Sequence, residues 1–419
     1  MARGTPAPRG DRPVRPLRRL VDLLGPTDSA ARQSLIALVF NSITSFGAGL
    51  MLVGFESTWR RLPPMLILVP AAIGLRGNVF STLGNRLSTS LHTGAFRVSW
   101  RIDSVLGQNL VASFALTSFL SVVLAGIATA IGTALGVTDM VSSLQLVAIA
   151  VIGGVIGSLV VAAATVLLAI GAVRYSWDLD NLVAPTVSTL GDVVTIPALW
   201  VAAELVGSGP STRITGLAIA LAATAAIVWS WRSAHSLLST ITRESLPVLT
   251  VALALSALAG VVLQKQQHLL ATLPAIWVLQ PAFVSSAGAL GGILSGRVST
   301  GLHIGSVEPT FSPGPTARRD GSLVFGLAVP LLLLNALGAS LVARIGSGGQ
   351  PGFGWVLAAA TLAPIATMAG GAAVSYFATI GAWHFNVDPD TYGVPIVTAV
   401  ADFVGTMALV IAVVALGIT

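Results

Sequence analysis

Two aspartates stand in stretches that are otherwise almost wholly apolar. Asp192 closes the run PTVSTLGD, residues 185–192, and Asp402 closes PIVTAVAD, residues 395–402. Each falls about ten residues into a segment long enough to cross a membrane. A carboxylate at mid-membrane costs on the order of 2.5–3.5 kcal/mol on insertion scales, and such acids mark ion or proton pathways. Pro185, Ser188 and Asp192 are spaced by three and four, so they share one helix face. Pro395, Thr398 and Asp402 repeat that arrangement. Proline removes a backbone donor and loosens the carbonyl one turn earlier. A freed carbonyl, a hydroxyl and a carboxylate along one stripe are all oxygen ligands, which suit hard cations such as magnesium and calcium. Two carboxylates near one axis repel each other unless a cation sits between them. The bland reading is that each aspartate pairs with a local arginine or caps a kinked helix. Arg76 is the one basic residue inside an apolar segment and its repeat counterpart is Ala287. It can neutralise one aspartate, not both.

Other polar residues are weaker candidates. Asn78 ends the run GLRGN, residues 74–78, and offers an amide oxygen; the second copy reads SSAGA, so any site there is asymmetric. The glycines of that run serve tight helix packing. His92 and His303 follow the two Arg–Ser–Thr sets as lone histidines, better suited to hydrogen bonding in a loop than to metal ligation. Asp178, Asp180, Asp388 and Asp390 stand at the starts of the aspartate-bearing segments. There they cap helices, with concentration of cations at a pore mouth as the other use. Glu204 has the apolar counterpart Val414 and reads as a solvated interface residue. No Walker A, HExxH or GxSxG pattern occurs.

The elements that must hold these residues are membrane helices. Of 419 residues, 54% are hydrophobic and 9% charged, with a mean hydropathy of +0.87. A soluble domain carries about 25% charged residues, so a water-soluble enzyme and a disordered chain are both excluded. The 44 glycines fit closely packed membrane helices. There is no cysteine, so disulfides and thiolate metal sites are excluded as well. The apolar segments run over roughly 34–55, 63–83, 107–135, 142–173, 182–206, 214–231, 246–264, 270–295, 321–343, 353–379 and 391–417, eleven in all. An inside start places 16 arginines in cytoplasmic segments against five basic residues outside. This bias predicts a multi-pass protein of the inner or plasma membrane, with the N-terminus cytoplasmic and the C-terminus outside. The net charge of +6 therefore speaks for membrane orientation and the lipid bilayer as partner, not for nucleic acid.

The chain is duplicated. At an offset of 211, residues 70–94 match 281–305 at ten of 25 positions, with RLSTSLHTG against RVSTGLHIG. At an offset of 210, residues 178–192 match 388–402 at five of 15, including three aspartate pairs. The expected fold is an all-α polytopic membrane protein of two five-helix repeats. The apolar run 214–231 adds a crossing, so the repeats are parallel and relate by a pseudo-twofold axis along the membrane normal. The expected divisions are a basic cytoplasmic tail over 1–32, a first repeat over 33–206, a linking helix over 207–243 and a second repeat over 244–419.

From about residue 33 onward the chain resembles the MgtE group of divalent-cation channels and its eukaryotic solute-carrier relatives. The resemblance rests on PAAIGLRGN…RLSTSLHTG, its partner RVSTGLHIG, and the two P-x-x-[ST]-x-x-x-D runs. It implies five helices per repeat around a central pore. It implies that Asp192 and Asp402 line a magnesium site holding a largely hydrated ion, and that Ser188 and Thr398 add carbonyl or hydroxyl oxygens. The acidic N-terminal and CBS domains of bacterial MgtE have no counterpart here, so their magnesium-sensing gate is not carried over. The expected function is transport of divalent cations, Mg2+ first, between the two repeats of a single-chain pseudo-dimer. The metal site would comprise Asp192, Asp402, Ser188, Thr398 and Asn78. Mg2+ is then cargo; no cofactor, no catalytic residue and no enzyme activity are expected. Two rivals stand beside it: a sodium- or proton-coupled carrier of another substrate, using the same pair of acids, and an intramembrane magnesium-dependent prenyl transferase, using Asp178 and Asp180 with Asp388 and Asp390 to hold magnesium-diphosphate.

Overall fold

Every backbone amide inside a bilayer must find its partner within the protein, which leaves helices as the answer for a chain of long aliphatic runs. The computed structural model describes residues 30–62, 64–92, 94, 96–134, 136, 141–175, 179–207, 210–266, 274–346, 353–387 and 389–416. The described residues form α1 (Ala30–Gly54), a short α2 (Glu56–Arg61), α3 (Met65–His92), α4 (Val105–Ala134), α5 (Ser143–Tyr175) and α6 (Leu179–Val206) in the first half. Then come α7 (Pro210–Trp231), α8 (Ser236–Lys265), α9 (Pro274–His303), α10 (Pro315–Gly346), α11 (Phe353–His384) and α12 (Pro389–Ala415). All but α2 are long and apolar enough to cross a membrane, making eleven spans among the described residues.

The helices exceed the apolar segments at several ends. The helix expected from 246 begins at Ser236, and α3 and α9 run on to His92 and His303. The Arg–Ser–Thr–His motifs are therefore helical, not loops, because polar residues extend a helix beyond its apolar stretch without breaking it. Pro70, Pro247, Pro281, Pro330, Pro364 and Pro395 lie inside helices. In a membrane bundle, neighbouring groups re-satisfy the carbonyls that proline frees.

The two halves pack by one pattern. Helix α1 lies against α6 of its own half and α9 of the other; α8 lies against α12 of its own half and α3 of the other. The pairs α3–α6 and α9–α12, α5–α6 and α11–α12, and α3–α12 and α9–α6 repeat the correspondence. The first helix of each half is thus lodged on the second helix of its partner. Helices α3 and α9 are 83% and 89% buried along their spans, against 22% for α7. They form the centre of the bundle. Helix α7 packs on α4, α5 and α8 at the edge and has no counterpart. It supplies the crossing that keeps the halves parallel.

Candidate functional site

Asp192 on α6 and Asp402 on α12 line one cavity of about 70 Å3 between the halves. That volume has room for several water molecules, taking roughly 10–15 Å3 per water on the same kind of measure. Asn78, Ser188 and Thr398 line it too, so the five residues singled out from sequence converge on one space. None of its lining residues is basic. Asp192 is buried and Asp402 partly so.

Each carboxylate is held by a serine from the first helix of its own half. Ser45 on α1 donates to Asp192 Oδ2 at 2.5 Å, and Ser256 on α8 donates to Asp402 Oδ2 at 2.6 Å. Gly74 admits the second of these pairs to the wall of α3. A Cβ there would stand 3.0 Å from Asp402 Oδ2 and 3.3 Å from Ser256 Oγ. Glycine at 74 thus lets a carboxylate lie directly on the helix backbone.

One helical turn from the acids, the two sides differ. Ser188 Oγ lies 3.2 Å from Ser285 Oγ, and the Asn41 amide donates to Ser285 at 3.2 Å. Thr189 donates to Asn41 Oδ1 at 2.8 Å. On the opposite side Thr398 donates to Asn78 Oδ1 at 2.7 Å and also lies 3.1 Å from the Val394 and Pro395 carbonyls. The asymmetry between GLRGN and SSAGA has a direct expression. Gly74 clears space for Asp402, and its counterpart Ser285 supplies a hydroxyl to the same cavity.

Arg76 does not neutralise either aspartate. It is 1% exposed, and its Nη2 donates to the Gly153 carbonyl of α5 at 2.9 Å. It makes no ion pair among the described residues. His303 sits in the last turn of α9, with Nδ1 2.9 Å from the Ser299 carbonyl and its ring edge-on to Trp383. The expected loop role gives way to a helical one. Glu204 pairs with Arg61, and both side chains are substantially exposed; such a pair contributes little stability. Asp178 and Asp388 lie outside the described residues, as do the side chains of Asp180, Asp390 and His92.

Sequence reasoning passed over Ser45, Ser256, Ser285 and Asn41. Only the repeat held a signal: Ser45 and Ser256 stand at the offset of 211. Among the described residues, no three acids or histidines converge as a metal cage. The arrangement offers two carboxylates, hydroxyls, an amide oxygen and space for water. This chemistry suits a cation that keeps part of its hydration shell.

Comparison with known proteins followed the same outline. The family model MgtE, described as a divalent cation transporter, matches residues 69–202 and 280–412, once in each half. The chain is 25% identical over 405 residues to solute carrier family 41 member 3 of Rattus norvegicus, covering 91% of this chain and 86% of that protein. It is 26% identical over 425 residues to solute carrier family 41 member 2 of Homo sapiens, covering 92% and 70%. It is 24% identical over 407 residues to the member 2 protein of Xenopus laevis, covering 91% and 71%.

Proposed function

This chain belongs to the MgtE family of divalent cation transporters, and from that premise we propose that it carries Mg2+ across the cell membrane through the cavity between its halves. The observation that supports this reading is the meeting of Asp192 and Asp402, from corresponding helices, on one cavity whose lining holds no basic residue. Two carboxylates supply the charge that draws a dication in. With only two, the ion is not stripped bare. Ser188, Thr398 and Asn78 then serve the water shell as much as the metal. Magnesium fits this better than calcium, because magnesium dehydrates reluctantly and calcium takes six to eight oxygen ligands. The arginine bias between spans supports a cytoplasmic N-terminus.

In proteoliposomes loaded with a magnesium-sensitive dye, the wild-type chain should admit Mg2+ down its gradient. The variant Asp192→Asn with Asp402→Asn should lose at least about tenfold of that flux, since two neutral amides no longer offset the charge of a dication. Undiminished flux at matched incorporation would defeat the assignment. Flux that needs an imposed sodium or proton gradient would favour a coupled carrier.

A further inference from the structure

Arg76 is a buried charge that the proposed pathway does not use. Its guanidinium lies in a notch of α5, where Gly157 has no side chain: a Cβ there would stand 2.6 Å from Nε. Only Nη2 is bonded, to the Gly153 carbonyl; Nε and Nη1 have no hydrogen-bond partner among the described residues. The wall between this charge and the cavity is thin. Arg76 sits in sequence among Ile73, Gly74, Gly77 and Asn78, all of which line the cavity on α3. At Gly77 that helix meets α6 with no side chain between them. A Cβ on Gly191, the neighbour of Asp192, would lie 3.6 Å from the Gly77 nitrogen. The second half has Ala287 where the first has Arg76, so the charge acts from one side only.

We propose that Arg76 is a specificity- and turnover-setting residue, whose fixed positive charge behind the cavity wall offsets part of the field of Asp192 and Asp402 and keeps a bound dication releasable. The inference rests on the transport reading above. Two carboxylates with nothing to oppose them inside the membrane would hold a dication too well, and conduction requires binding weak enough for the ion to leave. A positive charge on the helix that walls the cavity, on the order of 10 Å from the ion, weakens that binding without touching it. Among the described residues no carboxylate touches Arg76, so no contact partner there cancels its field.

The test uses the full chain in detergent, titrated with MgCl2, and in liposomes for flux. Neutral Arg76→Met should bind Mg2+ roughly tenfold tighter and show a lower maximal flux. Arg76→Lys, which keeps the charge, should stay near wild type. Arg76→Gln keeps a donor for the Gly153 carbonyl and replaces the Met variant if that one is not monodisperse. The tightening should shrink in an Asp192→Asn background, because the effect is a coupling between charges. It should also be larger for Mg2+ than for competing Na+, since the energy scales with ion charge. Unchanged Mg2+ binding in both neutral variants overturns the proposal and leaves the transport reading intact. So does an equal change in the Lys and Met variants, which would assign the effect to packing. Mg2+ binding that survives Asp192→Asn with Asp402→Asn unaltered overturns the site reading, and this inference falls with it.

Discussion

The hydroxyls of Ser45 and Ser256 hold the two acids on the wall of the cavity. Each donates to one carboxylate oxygen, Oδ2, from a neighbouring helix of the same half. A hydrogen bond to a charged group is worth about 1.5–3 kcal/mol, enough to hold the carboxylate in one rotamer. Ser45→Ala and Ser256→Ala should therefore raise the Mg2+ concentration for half-maximal flux several-fold at unchanged expression. Thr substitutions, which restore the hydroxyl, should recover it. A pair of alanine variants with wild-type concentration dependence would show that the acids need no such support. Asn78 and Thr398 offer a contrast at the same scale. Thr398 already donates to Asn78 Oδ1, so the two form a preassembled polar edge of the cavity.

At the scale of helices, close approach depends on matched glycines. A Cβ on Gly49 of α1 would lie 2.6 Å from Val278 Cα on α9, and one on Gly260 of α8 would lie 2.7 Å from Ile67 Cα on α3. The obstructing atoms are backbone, which cannot swing aside. Gly49→Ala and Gly260→Ala should each cost about 1–3 kcal/mol as overpacking, read as a thermal midpoint lower by several degrees. Gly126→Ala on α4, where nothing lies within 4 Å, is the control and should leave the midpoint in place. The same crossings set the site. They seat α1 and α8 against the partner half while Ser45 and Ser256 face their own aspartates.

For the whole molecule, the exchange of first helices makes the halves interdependent. Helix α1 finds α9 only in the second half, and α8 finds α3 only in the first. The loop between Trp231 and Ser236 is the natural place to divide the chain. Residues 1–232 made alone should aggregate or run as mixed species on gel filtration. Made together with residues 233–419, they should give one complex with the flux of the intact chain. A monodisperse, thermally stable first half on its own would refute the exchange.

How much of this was legible beforehand follows from the range of each interaction. Hydropathy and length set the eleven crossings, since the bilayer imposes them segment by segment. Duplicated polar residues set the two halves and singled out Asp192 and Asp402, because an acid in an apolar run has a cost that a single line of sequence reveals. The ends of α3 and α9 are not legible in this way, because a polar motif past an apolar stretch looks like a loop in one dimension. Ser45 carries no such signature, as a serine is cheap in any membrane helix. Its role comes from meeting a carboxylate 147 positions away. Arg76 was visible as a charge, but nothing local told that it turns to the Gly153 carbonyl. Crossing the membrane and carrying an acid are properties of a segment, so the order of residues alone determined them. Which groups face one cavity is a property of how the segments pack, and only the tertiary structure decided that.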